Sequence, residues 1–228
     1  VSEAADRHAL VTGASSGIGA AIAARLLGEG WQVTGVSRGE GGPAHPRYRH
    51  LALDLSDLDA IAPALGDMRV DALVHAAGLL RVGRLGEADP ADGARMWRLH
   101  VEAATRLADV LVPRMAEGGR VVLIGSRTAT GAAGRGAYAA SKAALAGLAR
   151  SWAAELMPLG ITVNVVAPAA TETPMLSDPA RGGLAPKRPP LGRFIRPEEV
   201  AAAVAYFLSP EAAAVTGQQL VICGGGSL

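Results

Sequence analysis

The sequence predicts an α/β fold, a doubly wound parallel sheet of about seven strands with helices on both faces. Three observations carry that expectation. Short β-rich runs alternate with longer Ala- and Leu-rich segments of helical period, as in successive β–α units joined by right-handed crossovers. Several of the short runs are continuously apolar, such as Ala9-Leu10-Val11 and Val121-Val122-Leu123-Ile124. Strands of that kind suit a sheet covered on both faces. The first run also passes directly into a glycine-rich turn and an amphipathic helix.

Taken in order, the strand candidates are 8–12, 32–37, 49–53, 72–75, 120–125, 162–166 and 219–222, and the helix candidates are 17–28, 57–65, 90–116, 136–157 and 197–208. Two stretches interrupt the alternation. Residues 39–46 read Gly-Glu-Gly-Gly-Pro-Ala-His-Pro, so no full helix is expected between the second and third strands. Residues 175–197 hold Pro179, Pro186, Pro189 and Pro190 between their ends and a Gly-Gly pair. Long irregular loops in compact domains often serve as lids. This one is expected to cover a substrate, with Leu176, Leu184, Leu191 and Phe194 as apolar contacts. No linker or repeat divides the chain, which is read as one domain over 1–228 with a flexible start at 1–7.

Composition excludes several classes. With 228 residues, half of them hydrophobic and 19% charged, the chain can bury a large core and is no disordered polyelectrolyte. The 22 basic residues nearly cancel the 21 acidic ones, which argues against a broad nucleic-acid-binding face. Cys223 is the single cysteine, so no internal disulfide forms. The histidines His8, His45, His50, His75 and His100 lack metal-site spacing, and no metal is expected. No apolar run approaches membrane-spanning length, and the start shows no signal-peptide pattern. The expectation is a soluble cytoplasmic protein acting on a small molecule, with neither nucleic acid nor membrane as partner.

Two constellations carry chemistry. The first is Thr12-Gly13-Ala14-Ser15-Ser16-Gly17-Ile18-Gly19 between strand and helix. Glycines there permit a tight turn and let backbone N–H groups approach a pyrophosphate at the helix start. At the end of the second strand stand Ser37 and Arg38. An acid at that place would hydrogen-bond the ribose hydroxyls of NAD, whereas Arg38 can pair with the 2′-phosphate of NADP and Ser37 can hydrogen-bond it. NADP is therefore expected, with NAD not excluded. A solvated strand end is the plain alternative for Arg38.

The second constellation is Tyr138 and Lys142, four residues apart in Ala-Tyr-Ala-Ala-Ser-Lys-Ala-Ala-Leu. That interval places both on one helix face. A phenol with a pKa of about 10 is a poor proton donor at neutral pH, and a neighbouring ammonium lowers it. Ser126 follows the strand Val121-Val122-Leu123-Ile124-Gly125, at the end that faces a cofactor crevice. From there its hydroxyl can meet a substrate oxygen. Taken alone, Tyr-x-x-x-Lys is most often an exposed surface pair. The serine and the glycine loop make the combination far more specific.

Together these residues resemble the short-chain dehydrogenase/reductase superfamily of Rossmann-like enzymes, and the match runs from Leu10 to Gly225. The resemblance implies further cofactor contacts: Gly13, Ser15, Ser16, Gly17, Ile18 and Gly19 at the phosphates, Asp54 and Leu55 after the third strand, and Ala76, Ala77 and Gly78 in His75-Ala76-Ala77-Gly78. It also implies contacts from Tyr138, Lys142, Pro168, Ala169, Thr171 and Thr173, with Thr173 at the nicotinamide amide. Lys142 would hold the ribose, and Ser126 and Tyr138 the reacting oxygen. The segment around Thr216-Gly217-Gln218 resembles the family's terminal strand.

The departures are specific. His100 stands where the family has a catalytic Asn in a proton relay, Ala169 replaces a glycine, and Cys223 an acid. The interval from Ser126 to Tyr138 is one residue shorter than the family's usual one. His100 is counted among the catalytic candidates, with space-filling in a helix as its alternative. Two other functions stay open here. One is an NAD-dependent cyclic dihydrodiol dehydrogenase of the dihydroxybenzoate-forming type, for which Arg81, Arg127 and Arg135 can bind a carboxylated substrate. The other is a catalytically silent dinucleotide sensor. The resemblance and the apolar surface of helices 90–116 and 136–157 imply a homotetramer or homodimer.

Overall fold

The computed structural model describes residues 7–178 and 186–228. Seven parallel strands form one sheet: β1 (His8–Thr12), β2 (Gln32–Ser37), β3 (Tyr48–Ala52), β4 (Ala72–His75), β5 (Arg120–Ile124), β6 (Thr162–Pro168) and β7 (Gln219–Ile222). Their order across the sheet is β3-β2-β1-β4-β5-β6-β7. The chain works outward from β1 in one direction, then returns to β4 on its other side. Ligands bind outside the carboxyl ends of the strands at such a reversal.

The strands that read as continuously apolar lie inside the sheet. β4, β5 and β6 are buried along their whole length, whereas the edge strands β3 and β7 are partly exposed. Helices α1 (Gly17–Gly28) and α6 (Pro197–Leu208) cover one face. Ile22 and Leu26 from α1 and Val200, Val204 and Phe207 from α6 enter a core with Val11, Val74 and Val122. Helices α2 (Leu58–Leu65), α4 (Ala103–Leu111) and α5 (Gly136–Leu156) cover the other. Ile61, Leu107, Leu111 and Leu145 pack there with Leu10, Leu73 and Leu123. The alternation of facing along each strand assigns neighbouring residues to the two cores.

The expected helix 90–116 is not continuous. It divides into α3 (Pro90–Trp97), a π-helical turn at Arg98–Glu102, α4, and a 3₁₀ turn at Val112–Arg114. Periodicity cannot show a widened turn, because one extra residue shifts the apolar face only slightly. Such turns cluster at functional sites, and this one contains His100. Pro113 gives the closing 3₁₀ turn its physical reason, since proline has no N–H to continue the ladder. The remaining strand and helix limits differ from expectation by two residues or fewer.

Residues 39–46 form no helix. Between Met175 and Pro197 the described part holds a 3₁₀ turn, Pro174–Leu176, and otherwise irregular backbone. Leu184, expected as a substrate contact, lies outside the described residues, as does nearly all of the expected flexible start. Two polar side chains, the buried Asn164 and the half-buried Thr216, fasten the last strand to the sheet. Asn164 donates to the Val215 carbonyl (2.7 Å) and accepts from the Gln218 N–H (3.0 Å). Thr216 accepts from the Val163 N–H at 3.0 Å. Among the described residues no helix is long and apolar enough to cross a membrane.

Candidate active site

The turn from β1 into α1 is shaped by close backbone approach. Gly13 has φ +68°, and a Cβ there would lie 2.9 Å from the Cα of Ala77. At Gly19 a Cβ would stand 2.2 Å from the Gly13 carbonyl oxygen. Only hydrogen fits at either place. Ser16, the N-cap of α1, makes no side-chain capping bond. The N–H groups of the first turn therefore remain for an anion, on which the positive end of the helix also acts.

A buried network ties this turn to β4. Thr12 Oγ1 accepts from the N–H groups of Ala76 (3.0 Å) and Ala77 (2.9 Å). Its own hydrogen is then directed to His75 Nδ1, 3.1 Å away. His75 Nε2–H donates to the carbonyl of Leu99, inside the π-helical turn, at 3.0 Å. The partner set thus assigns the tautomer. His75 is fully buried, and burial with the nearby Lys142 charge lowers its pKa to about 3. It is a neutral brace between the two strand ends and the turn that holds His100.

The groove above this turn has a volume of about 750 Å³. It is lined by Gly13, Ser15, Ser16, Gly17, Ile18, Gly19, Ser37, Arg38, Asp54, Leu55, Ala76, Ala77, Gly78 and Thr173, all expected as dinucleotide contacts. Val36, Gly39, Leu53, Ser56, Leu79, Leu99, Pro174 and Met175 complete it and were not expected as dinucleotide contacts. Most are immediate neighbours of expected contacts, so flanking position was the available signal. Arg38 is exposed at the groove and has no carboxylate beside it among the described residues. Ser37, by contrast, already donates to the Gly39 carbonyl and contacts His50 Nε2, each at 2.9 Å. These observations fit a dinucleotide: glycines where a Cβ would collide, uncapped helix N–H groups, and a cation at the end of β2.

A second cavity of about 690 Å³ adjoins it, and Met175 lines both. Ser126 and Tyr138 face this second cavity together with Ala169. Ser126 is brought there by the end of β5, and Tyr138 by the first turn of α5. Ser126 Oγ accepts from the Thr128 N–H at 3.1 Å, leaving its own hydrogen for a ligand oxygen. Lys142, one turn after Tyr138, is buried and lines neither cavity. Its Nζ donates to the Ile124 carbonyl at 2.8 Å, and burial lowers its pKa to about 7. Pro168 and Thr171 also line neither cavity; Thr171 donates to the Ala169 carbonyl at 2.9 Å.

His100 is fully buried against this centre. Nε2 accepts from the Leu79 N–H at 3.1 Å, so Nδ1 carries the hydrogen and donates to Ser141 Oγ at 2.9 Å. Ser141 in turn donates to the Tyr138 carbonyl at 2.9 Å. The imidazole also meets the phenol ring edge-on, with centroids 5.7 Å apart. Burial, then the Lys142 charge, hold its pKa well below the usual histidine range. Both ring nitrogens are engaged, and the ring is neutral. Ser141, lying between Tyr138 and Lys142 in sequence, had no signal of its own.

The expected apolar contacts are redistributed. Leu176 and Phe194 line a separate shallow depression, and Leu191 is exposed. Leu80, Met175, Pro186, Pro189 and Pro190 line the Ser126–Tyr138 cavity instead.

The family model described as enoyl-(acyl carrier protein) reductase matches residues 13–227. The 3-oxoacyl-(acyl-carrier-protein) reductase FabG of Salmonella typhimurium is 38% identical over 234 residues, covering 95% of this chain and 96% of its own. The chain belongs to the short-chain dehydrogenase/reductase superfamily. A dehydrogenase/reductase from Sinorhizobium meliloti superposes on this short-chain dehydrogenase/reductase with a TM-score of 0.87 at 33% identity, over 97% of this chain and 95% of that one. A blue fluorescent protein from a metagenomic library, solved in complex with NADPH, gives 0.86 at 31% identity, over 97% and 98% of the two chains. The protein is an NAD(P)-dependent oxidoreductase of this superfamily, consistent with the Rossmann-like sheet and the glycine groove.

Proposed function

We propose that this enzyme transfers a hydride between NADP(H) and a small carbonyl or secondary-alcohol substrate, with Tyr138 as general acid and base. The observation that carries the proposal is the meeting of Ser126 and Tyr138 in one cavity that adjoins the glycine-lined groove. When bound, the dinucleotide supplies or accepts the hydride. The protein's own groups do the rest. Ser126 directs its free hydrogen to the substrate oxygen and fixes that atom beside the phenol. Tyr138 gives a proton to the oxygen on reduction and takes one on oxidation. Lys142 uses one N–H on the Ile124 carbonyl, and its other hydrogens would hold the ribose hydroxyls of a bound dinucleotide reaching in from the groove. When charged it also favours the phenolate.

His100 positions Tyr138 in this proposal. Its edge contact and the Ser141 link hold the phenol and its backbone, and its occupied nitrogens make it a poor proton relay. Arg38, rather than Ser37, would meet the 2′-phosphate of NADP, since the Ser37 hydrogen is used on Gly39. Ser37-Arg38 in place of an acid weighs against the NAD-dependent diol alternative. The gathered Ser126 and Tyr138 weigh against a silent sensor. The assembly is a homodimer or homotetramer on this reading, because the edge strand β7 leaves Leu220 and Val221 exposed.

The test is absorbance-monitored consumption of NADPH and NADH over a carbonyl panel, with Tyr138→Phe in parallel. NADPH is expected to be used in preference to NADH. The variant should lose activity by about 10²–10⁴-fold, the range for removing a general acid. Turnover undiminished in Tyr138→Phe overturns the mechanism.

A further inference from the structure

We infer that the substrate of this site carries an oxyanion, a carboxylate or a phosphate ester, which Arg127 and Arg135 bind while Ser126 and Tyr138 hold the reacting oxygen. The inference rests on the proposed function and names its substrate class. The cavity that contains Ser126 and Tyr138 is also lined by Arg127, Arg135, Lys187 and Arg188 and, among the described residues, by no Asp or Glu. In a chain of net charge +1, four cations around one cavity are a local concentration of positive potential. Such a cleft attracts an anionic ligand and raises its local concentration.

Two of the four are built into the catalytic elements. Arg127 directly follows Ser126 in the 3₁₀ turn after β5, and Arg135 is the N-cap of α5, three residues before Tyr138. Both are half-buried, and neither guanidinium has a carboxylate partner among the described residues. Arg81 shows the contrast. It lies 3.7 Å from Asp92 and 3.9 Å from Asp178, donates to the Leu80 carbonyl at 2.9 Å, and does not line this cavity. Arg188 stacks 5.8 Å from the Phe194 ring, and it and Lys187 are exposed at the rim. Arg127 and Arg135 thus remain as half-buried forks facing the space where the substrate must lie. Guanidinium forks match the geometry of carboxylate and phosphate oxygens.

Matched ligand pairs test this: acetoacetate against methyl acetoacetate, and dihydroxyacetone phosphate against dihydroxyacetone. Calorimetric titration into the NADP⁺-loaded enzyme reads binding without turnover, and initial rates with NADPH read catalysis. At least one anionic member is expected to bind about 10-fold or more tightly than its neutral partner, as a charge-assisted pair provides. The acetoacetate and phosphate arms show which oxyanion is preferred. Arg127→Gln and Arg135→Gln should each erase most of that preference, raising KM for the anionic member more than for its neutral partner. Equal binding within both pairs, absence of binding by both anions, or a preference that survives in both variants overturns the inference. Tyr138→Phe separates the two claims. It should keep the anion preference without turnover, and retained turnover would count against the proposed mechanism alone.

Discussion

At the scale of single residues, the centre is an arrangement of buried groups whose charge is governed by desolvation. Lys142 is the clearest case. Its ammonium ordinarily titrates near 10.5, and in the fold burial brings this to about 7. Between those values the unfolded chain binds more protons than the native one, so stability rises with pH across that interval. Below about pH 7 both states carry the charge and the full cost of burying it is present. Lys142→Met removes that cost. The variant's melting temperature is therefore expected to exceed the wild type's near pH 6.5, with the gap shrinking toward pH 10 in cofactor-free protein; an unchanging gap would refute the burial argument. The placement of Tyr138, Lys142 and Ser126 was legible because a four-residue interval and a strand end are local features. The contacts of His100 were not. Its two partners, the Leu79 N–H and Ser141 Oγ, lie 21 and 41 positions away in the chain.

Elements show where local pattern succeeds and where it fails. The β1–α1 turn was legible because steric need selects glycine directly. Gly19→Ala is expected to destabilise the fold by about 1–3 kcal/mol, as overpacking does, since its methyl group would meet the Gly13 carbonyl. The same shift should weaken NADPH binding by at least about 10-fold, given the contacts of this loop. Fluorescence titration and thermal melting measure both. An alanine variant with unchanged affinity and melting temperature would show that the turn has slack. Helix 90–116 was legible as apolar and helical, yet its break into α3, a π-helical turn and α4 was not. The Leu99 carbonyl in that turn is met by His75 from β4, a contact no periodicity reports.

For the whole molecule, strand order puts the reversal between β1 and β4 beside the end of β5, so the groove at the glycine turn and the cavity holding Ser126 lie side by side. The same order leaves β7 as an edge with Leu220 and Val221 exposed. An unpaired edge with apolar residues is a surface that proteins normally cover. Light scattering at micromolar concentration is expected to give a dimer or tetramer mass, and Leu220→Glu should shift it toward smaller species. A monodisperse wild-type monomer would overturn the assembly.

The sequence by itself determined the fold class, nearly every element of it, the glycine turn, and the places of Ser126 at a strand end and of Tyr138 and Lys142 on one helix. Those features depend on short-range periodicity, turn sterics and spacing within one helix, all of which are written locally. Only the tertiary structure decided which charged and polar groups remain available. It placed Arg81 near Asp92 and Asp178 and left Arg127 and Arg135 facing the cavity. It also used the Ser37 hydrogen on Gly39 and engaged both nitrogens of His100. Whether a polar group is free depends on partners that folding brings from elsewhere in the chain. Burial then sets the protonation of the groups it encloses, and neither can be read from neighbours in sequence.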